Sequence, residues 1–368
     1  MNYTPRIETV RQKMQEGGVS FLFVTNTTNV RYLCGFSGSN GSILLGTDDA
    51  HFFSDGRYET QAGEQVEGAE IFIYATPDEF QDALRKSLGT DRAKVAFEAS
   101  HVSVLRSPQS GDGRPSVEEL EGYFESHELV PSKGWVEEIR RVKDDGEIRL
   151  IKAAAELADA GFAHIVERVK VGKTERELAL ELEFFMRKSG ADGVSFELIV
   201  AAGERSALPH ARPTDKSVEK GRYLLFDLGC KVDGYCSDLT RTVIVGSADE
   251  RHREIYDLVL KAEEASLAAV RSGVTGLDLD QIARDIITDG GYRDAFSHGL
   301  GHGVGLDVHE DPRLSRISKD TLQAGNVVTV EPGVYLAGWG GVRIEDLVYV
   351  QAQGSEVLSA APKELLVL

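Results

Sequence analysis

From about residue 135 to its end the chain states one pattern twice, and no other feature limits its possible folds as much. Ile148, Ile151, Ala155, Ala158, Phe162, Ile165 and Val169 follow a 3,4,3,4 spacing, the period of one face of a long α-helix. Ile255, Leu258, Ala262, Ala265 and Ala269 repeat it about 101 residues later. Asp144-Asp145 opens the first helix. Each copy then turns at a glycine, Gly172 or Gly273, and enters a second helix. Thr174 with Glu177 makes a capping box there, and Thr275 with Asp278 a weaker one. Each copy then runs into a strand hairpin. Two αβ halves related by a pseudo-two-fold axis, with a shared cleft, are the expected outcome over residues 134–368.

The first 133 residues have a different rhythm. A helical pattern covers 6–16, strands are expected at 19–24, 42–45, 50–53, 71–74 and 95–97, and helices after Asp55-Gly56-Arg57-Tyr58 and over 77–88. Such alternation predicts an open α/β sheet. Residues 107–116 (SPQSGDGRPS) read as a flexible loop, and Pro131-Ser132-Lys133-Gly134 as the domain boundary. The fold class is therefore α/β (α+β), with an N-terminal sheet domain at 1–133 and a repeated αβ domain at 134–368. Asp55 and Arg57 fit a structural ion pair, with a reach into a neighbouring subunit as the alternative.

The net charge of −19 argues against nucleic acid or an anionic membrane as partner, since both select Lys/Arg patches. No run approaches the roughly 18 apolar residues of a membrane span, and the N-terminus has no apolar signal core. Three scattered cysteines, Cys34, Cys230 and Cys236, do not form a disulfide framework and suggest a reducing, cytoplasmic setting.

Both hairpins of the repeated domain carry paired acids. In 223–242, a turn centred between Val232 and Asp233 at the Asp-Gly signal sets Asp227 directly opposite Asp238. In 328–346, a turn centred on Gly338 sets Glu331 opposite Glu345. Asp227 lies in a Leu-Leu-Phe-Asp-Leu run and Glu331 follows Val-Val-Thr-Val, so these acids sit in buried strands, where unpaired carboxylates are rare. Residues 298–310 (HGLGHGVGLDVHE) add His298, His302 and His309 between glycines, as where backbone and imidazoles approach a ligand or metal. Four buried acids with an imidazole suit two divalent cations. Oxygen-rich ligation favours Mn²⁺, with Co²⁺ or Zn²⁺ as alternatives.

These residues, with GFSGSNG at 35–41 and DGRY at 55–58, make nearly the whole chain resemble the proline-specific branch of the pita-bread metallopeptidases, prolidase and aminopeptidase P. The resemblance implies a pita-bread catalytic domain behind an accessory domain. It implies a dinuclear ligand set of Asp227, Asp238, His302, Glu331 and Glu345, with Asp227 and Glu345 bridging. It gives Glu331, His309 and His298 catalytic roles: proton transfer for Glu331, and stabilisation of the tetrahedral intermediate for His309. His210, Arg313, Tyr335 and Arg343 fall on the substrate side. Of the three histidines in 298–310 only His302 then touches metal. The implied reaction is hydrolysis of the Xaa-Pro bond of small proline-containing peptides, by a homodimer. Arg313 resembles the arginine that takes a dipeptide's free carboxylate, which leans the reading to prolidase. Aminopeptidase P is the first alternative, and a methionine-type aminopeptidase or a non-catalytic peptide-binding relative the more remote ones.

Overall fold

The structure, a computed structural model, describes residues 1–103 and 114–368. Residues 107–113 of the expected loop lie outside the described residues. The described chain forms two compact units, Met1–Arg140 and Arg141–Leu368, so the helix Trp135–Arg140 belongs with the first unit. No described helix is long and apolar enough to cross a membrane.

The first unit is built on one six-stranded sheet, in the order Glu70–Tyr74, Ala50–Asp55, Ser42–Leu45, Phe21–Val24, Lys94–Glu98, Glu128–Ser132. Phe21–Val24 and Ser42–Leu45 pair antiparallel, as do Ser42–Leu45 and Ala50–Asp55. The remaining pairings are parallel. Phe23, Leu44, Phe53, Val95 and Phe124 meet Phe80 and Leu84 of the helix Pro77–Leu88 in a common core, whose helix is capped by Thr76. Among the elements beyond the expected pattern are the helices Thr27–Cys34 and Val117–Tyr123 and the strand Glu128–Ser132. The two helices are only 8 and 7 residues long, too short for periodicity to register, and only their caps announce them. Asn26 accepts from the Thr28 amide, and Ser116 with Glu119 makes a full capping box. Asp55 and Arg57 form the structural ion pair, with the guanidinium donating to both carboxylate oxygens at 2.8 and 2.9 Å.

In the second unit the helices of the repeat are Asp145–Val166 with Glu175–Lys188, and Glu250–Ala269 with Gly276–Asp289. Ile148, Ile151, Ala155, Ala158, Phe162 and Ile165 are all buried, while Val169 lies past the helix end. The third helix is rotated slightly from its expected face. Ile255, Tyr256, Val259, Ala262 and Ser266 are buried, and Leu258, Ala265 and Ala269 fall at the edge. Alanine marks a helix face weakly, because its side chain gains little by burial.

The first hairpin corrects the expected register. Its turn is Asp233-Gly234, both with positive φ (45° and 75°), as a two-residue turn with right-handed strand twist requires. Val232 pairs with Tyr235 and Lys231 with Cys236. The strands Arg222–Leu228 and Leu239–Val245 continue this register, so Asp227 faces Thr240 and not Asp238. Asp238 lies two residues along, outside both strands, at the break between two small sheets. The second hairpin keeps its expected register, centred on Gly338 (φ 74°). Gly333 pairs with Arg343 and Val330 with Asp346. Glu331 and Glu345 occupy the gap between these pairings, where one sheet gives way to the next. A bridge between Thr240 and Glu345 joins the two halves.

Candidate metal centre and active site

The two hairpin breaks and the strand Gly301–Gly303 bring all five expected ligands to the wall of one cavity of about 760 Å³. Each is delivered by a local backbone reason. Gly301 is one: a Cβ there would stand 2.0 Å from Thr329 O, so only glycine lets the His302 strand lie against its neighbour. Asp227, Asp238, His302 and Glu345 are buried, at 8%, 5%, 7% and 2% exposure. Asp238, His302 and Glu345 each offer a ligand atom, all within 4.8 Å of one another. His302 Nε2 lies 3.4 Å from Glu331 Oε1 and 3.7 Å from Asp238 Oδ2.

The protonation pattern fits a cation site. His302 Nδ1 donates to Gly303 O at 3.0 Å, which leaves Nε2 bare and aimed at the acids. Burial, reinforced by His309, pushes the His302 imidazole down to about 3. Burial first, and the neighbouring acids next, push Asp238 and Glu345 well above the usual carboxylate range. Burial lifts Glu331 to about 7 and also raises Asp227. Carboxylates this close hold protons unless positive charge balances them. Asp227 Oδ1 is buried without a hydrogen-bond partner, while Oδ2 takes the Arg343 Nη2 donor. A neutral imidazole, four acids and one orphaned carboxylate oxygen are the donor set of hard divalent cations.

Asp238, rather than Asp227, groups with Glu345 beside His302. Asp227 instead accepts from Arg343 Nη2.

The other expected residues divide between wall and support. His210, His298, His309, Arg313 and Arg343 line the cavity. Arg313 is the antiparallel partner of His302, so both share a sheet face, and its side chain is 50% exposed. The His309 ring packs edge-on against His302, 4.4 Å between centroids, and burial lowers its pKa. His298 is fixed at both nitrogens. Nδ1 donates to Gly299 O at 2.7 Å, and Nε2 accepts from Tyr335 Oη at 2.8 Å. Burial and then Arg343 lower His298 to about 4, so its ring is neutral. Tyr335, expected on the substrate side, is absent from the cavity lining. Its hydroxyl accepts from Arg343 Nη1 at 2.9 Å and so joins Arg343 to His298. Its place in the hairpin explains this, because Tyr335 faces Gly341 two pairs away from Arg343 and Gly333.

Thr240 and Arg241 also belong to the site. Thr240 Oγ1 donates to Glu345 Oε2 at 2.6 Å and accepts from Arg343 Nε at 3.0 Å. Arg241, on the other face of the strand, donates to Glu345 O and ion-pairs with Asp346 at 2.6 Å. A signal was present in Asp238-Leu239-Thr240-Arg241, where alternation places Thr240 on the face of Asp238. The polar residues around a ligand carry no spacing rule of their own.

Comparison with known proteins agrees with this geometry. Residues 149–352 match the model of metallopeptidase family M24, and residues 6–142 that of the creatinase/prolidase N-terminal domain. The chain is 35% identical to the Xaa-Pro dipeptidase of Pyrococcus furiosus, over 98% of this chain and 99% of that one. Among solved structures it is similar to an Xaa-Pro dipeptidase from Bacillus anthracis, with 40% identity, complete coverage of both chains and a TM-score of 0.91. It is also similar to an X-Pro aminopeptidase from Thermotoga maritima, with 36% identity, 98% of this chain and 99% of that chain covered, and a TM-score of 0.88. The fold is mixed α/β, with an N-terminal domain ahead of a C-terminal domain of pita-bread form. The chain belongs to metallopeptidase family M24, in the form that carries a creatinase/prolidase N-terminal domain.

Proposed function

We propose that the protein is a dinuclear-metal exopeptidase that hydrolyses the Xaa-Pro bond, with a preference for Xaa-Pro dipeptides. The observation that carries this reading is the convergence of four acids, His302 and three further histidines on one cavity that also holds Arg313. Residues 134–368 would form the catalytic domain and 1–133 the accessory domain. Asp227, Asp238, His302, Glu331 and Glu345 would hold two divalent ions, Mn²⁺ in preference to Co²⁺ or Zn²⁺. Such a pair of cations supplies a water nucleophile at neutral pH and polarises a carbonyl.

The residues of the chain would do the rest. Glu331 would take a proton from the attacking water and pass it to the proline nitrogen. That nitrogen belongs to a tertiary amide and leaves only when protonated. His309, beside His302, would steady the oxygen that develops charge. Neutral His298, fixed by Tyr335, would give the peptide a wall of constant shape. The Arg313 fork would take a carboxylate one residue past the scissile bond. Cytoplasmic placement and a homodimer complete the reading.

Aminopeptidase P is the second reading. It is favoured by the similarity to the Thermotoga maritima X-Pro aminopeptidase and by a cavity with room beyond a dipeptide. One assay decides. The protein is loaded with Mn²⁺ and given Ala-Pro, Ala-Pro-Ala and Met-Ala-Ser in parallel. Cleavage of Ala-Pro alone supports the prolidase, and cleavage of Ala-Pro-Ala the aminopeptidase P. Turnover of Met-Ala-Ser points to a methionine-type enzyme. No turnover of any peptide across a metal screen points to a peptide-binding relative.

A further inference from the structure

His210 lines the cavity yet lies exposed on the segment 203–213. Its ring has no hydrogen-bond partner among the described residues. Nothing but its backbone can aim such a side chain, so whatever fixes that segment fixes His210.

Glu175 does so. It is the first residue of the helix Glu175–Lys188 and is 0% exposed. Its Oε1 accepts from the Ala202 amide at 2.8 Å and from Arg205 Nε at 2.9 Å. Its Oε2 accepts from the Thr214 amide at 2.8 Å and from Thr214 Oγ1 at 2.6 Å. Ala202 enters the segment and Thr214 leaves it, so a single carboxylate holds both ends. Arg205 draws the loop closed by donating from Nη2 to Arg212 O at 2.7 Å. Charge-assisted hydrogen bonds of this kind are short and strong, and burial frees them from competition with water. Glutamate at a helix start is ordinarily favoured by the helix dipole, but that role needs neither burial nor four donors from one loop.

We infer that Glu175 is a positioning residue for the reaction: it clasps the base of the 203–213 segment and thereby sets His210 against the substrate. This inference rests on the Xaa-Pro peptidase reading above. A misplacement of about 1 Å at such a wall costs on the order of 100-fold in rate.

The test is a double-mutant cycle on the Mn²⁺-loaded enzyme with Ala-Pro. Glu175→Gln keeps the shape and removes the charge. It is expected to lower kcat/KM by about 100-fold with bound Mn²⁺ unchanged, and the loss is expected to vanish in a His210→Ala background. Thr214→Val, a milder cut at the same clasp, is expected to act in the same direction and to vanish likewise. Losses that add to that of His210→Ala, a silent His210→Ala, or loss of bound Mn²⁺ would overturn the inference. Amide hydrogen exchange reads the clasp without activity. Faster exchange at Ala202 and Thr214 in Glu175→Gln is expected, and unchanged exchange would overturn the clasp. Failure of the wild-type enzyme on every peptide, with that exchange effect intact, would instead sink the peptidase reading.

Discussion

Thr240 Oγ1 lies 2.6 Å from Glu345 Oε2, and the Glu345 amide donates to Thr240 O at 3.1 Å. A threonine from the first half of the repeat thus orients a carboxylate of the second at the point where the halves meet. Thr240→Val preserves shape and removes the hydroxyl. Supporting hydrogen bonds behind a metal ligand are worth about 10–100-fold in affinity or activity. Weaker Mn²⁺ binding by that factor is the expected result of a metal titration. Wild-type affinity would contradict the orienting role.

Tyr335 Oη donates to His298 and accepts from Arg343, so Tyr335→Phe frees the His298 Nε2 and one guanidinium arm together. A loss of about 10–100-fold in kcat/KM is expected from the two hydrogen bonds removed. Nitrogen-15 NMR of the His298 ring reports the cause directly. Both proteins should show the tautomer protonated at Nδ1, which Gly299 O holds, with the Nε2 resonance shifted in the variant.

On the proposed reading Arg313 sets the substrate length. Arg313→Met retains an apolar stem and deletes the fork. A hydrogen bond to a charged group is worth about 1.5–3 kcal/mol, so kcat/KM for Ala-Pro should fall by about 10–100-fold. Ala-Pro-Ala, whose carboxylate lies one residue further on, should change far less. Equal losses on both peptides would remove Arg313 from carboxylate recognition.

Proton release should accompany metal loading. Burial lifts Glu331 from 4.5 to about 7, and burial with like charges lifts Asp238 and Glu345. A raised carboxylate pKa means that the native metal-free protein keeps protons the unfolded chain has released. Its stability therefore falls as pH climbs from 4.5 towards about 7. Mn²⁺ must displace those protons, so its affinity should rise with pH through the same window. Calorimetry in two buffers of different ionisation heat should count more than one proton released per chain. An affinity independent of pH would contradict the assignment.

Gly301→Ala tests the backbone contact behind His302. The added Cβ meets Thr329 O at 2.0 Å, and the strand must move. A loss of roughly 1–3 kcal/mol in stability is expected from overpacking, with reduced bound Mn²⁺ because His302 moves too. Thermal unfolding and metal analysis on the same sample check both effects.

The repeat was legible because long helices announce themselves. Seven apolar positions at helical spacing from Ile148 to Val169 and the capping boxes at Thr174 and Asp144 are local signals, and six of those seven positions lie buried in the helix Asp145–Val166. The short helices Thr27–Cys34 and Val117–Tyr123 offered less than three turns of pattern each, and were not legible.

In the candidate site the sequence alone determined which residue types meet. It identified the acids of both hairpins, the three histidines of 298–310 and the Gly338-centred register. Tertiary structure decided how they are arranged. A turn at Asp233-Gly234 moved the partner of Asp227 to Thr240, and Asp238 groups with Glu345 beside His302. Tyr335 went behind the wall, and Thr240, Arg241 and Glu175 entered as supports. The physical reason is range. Spacing records the period of one strand or helix, whereas a hydrogen bond such as that between Thr240 and Glu345, 105 residues apart, exists only after both halves have folded against each other.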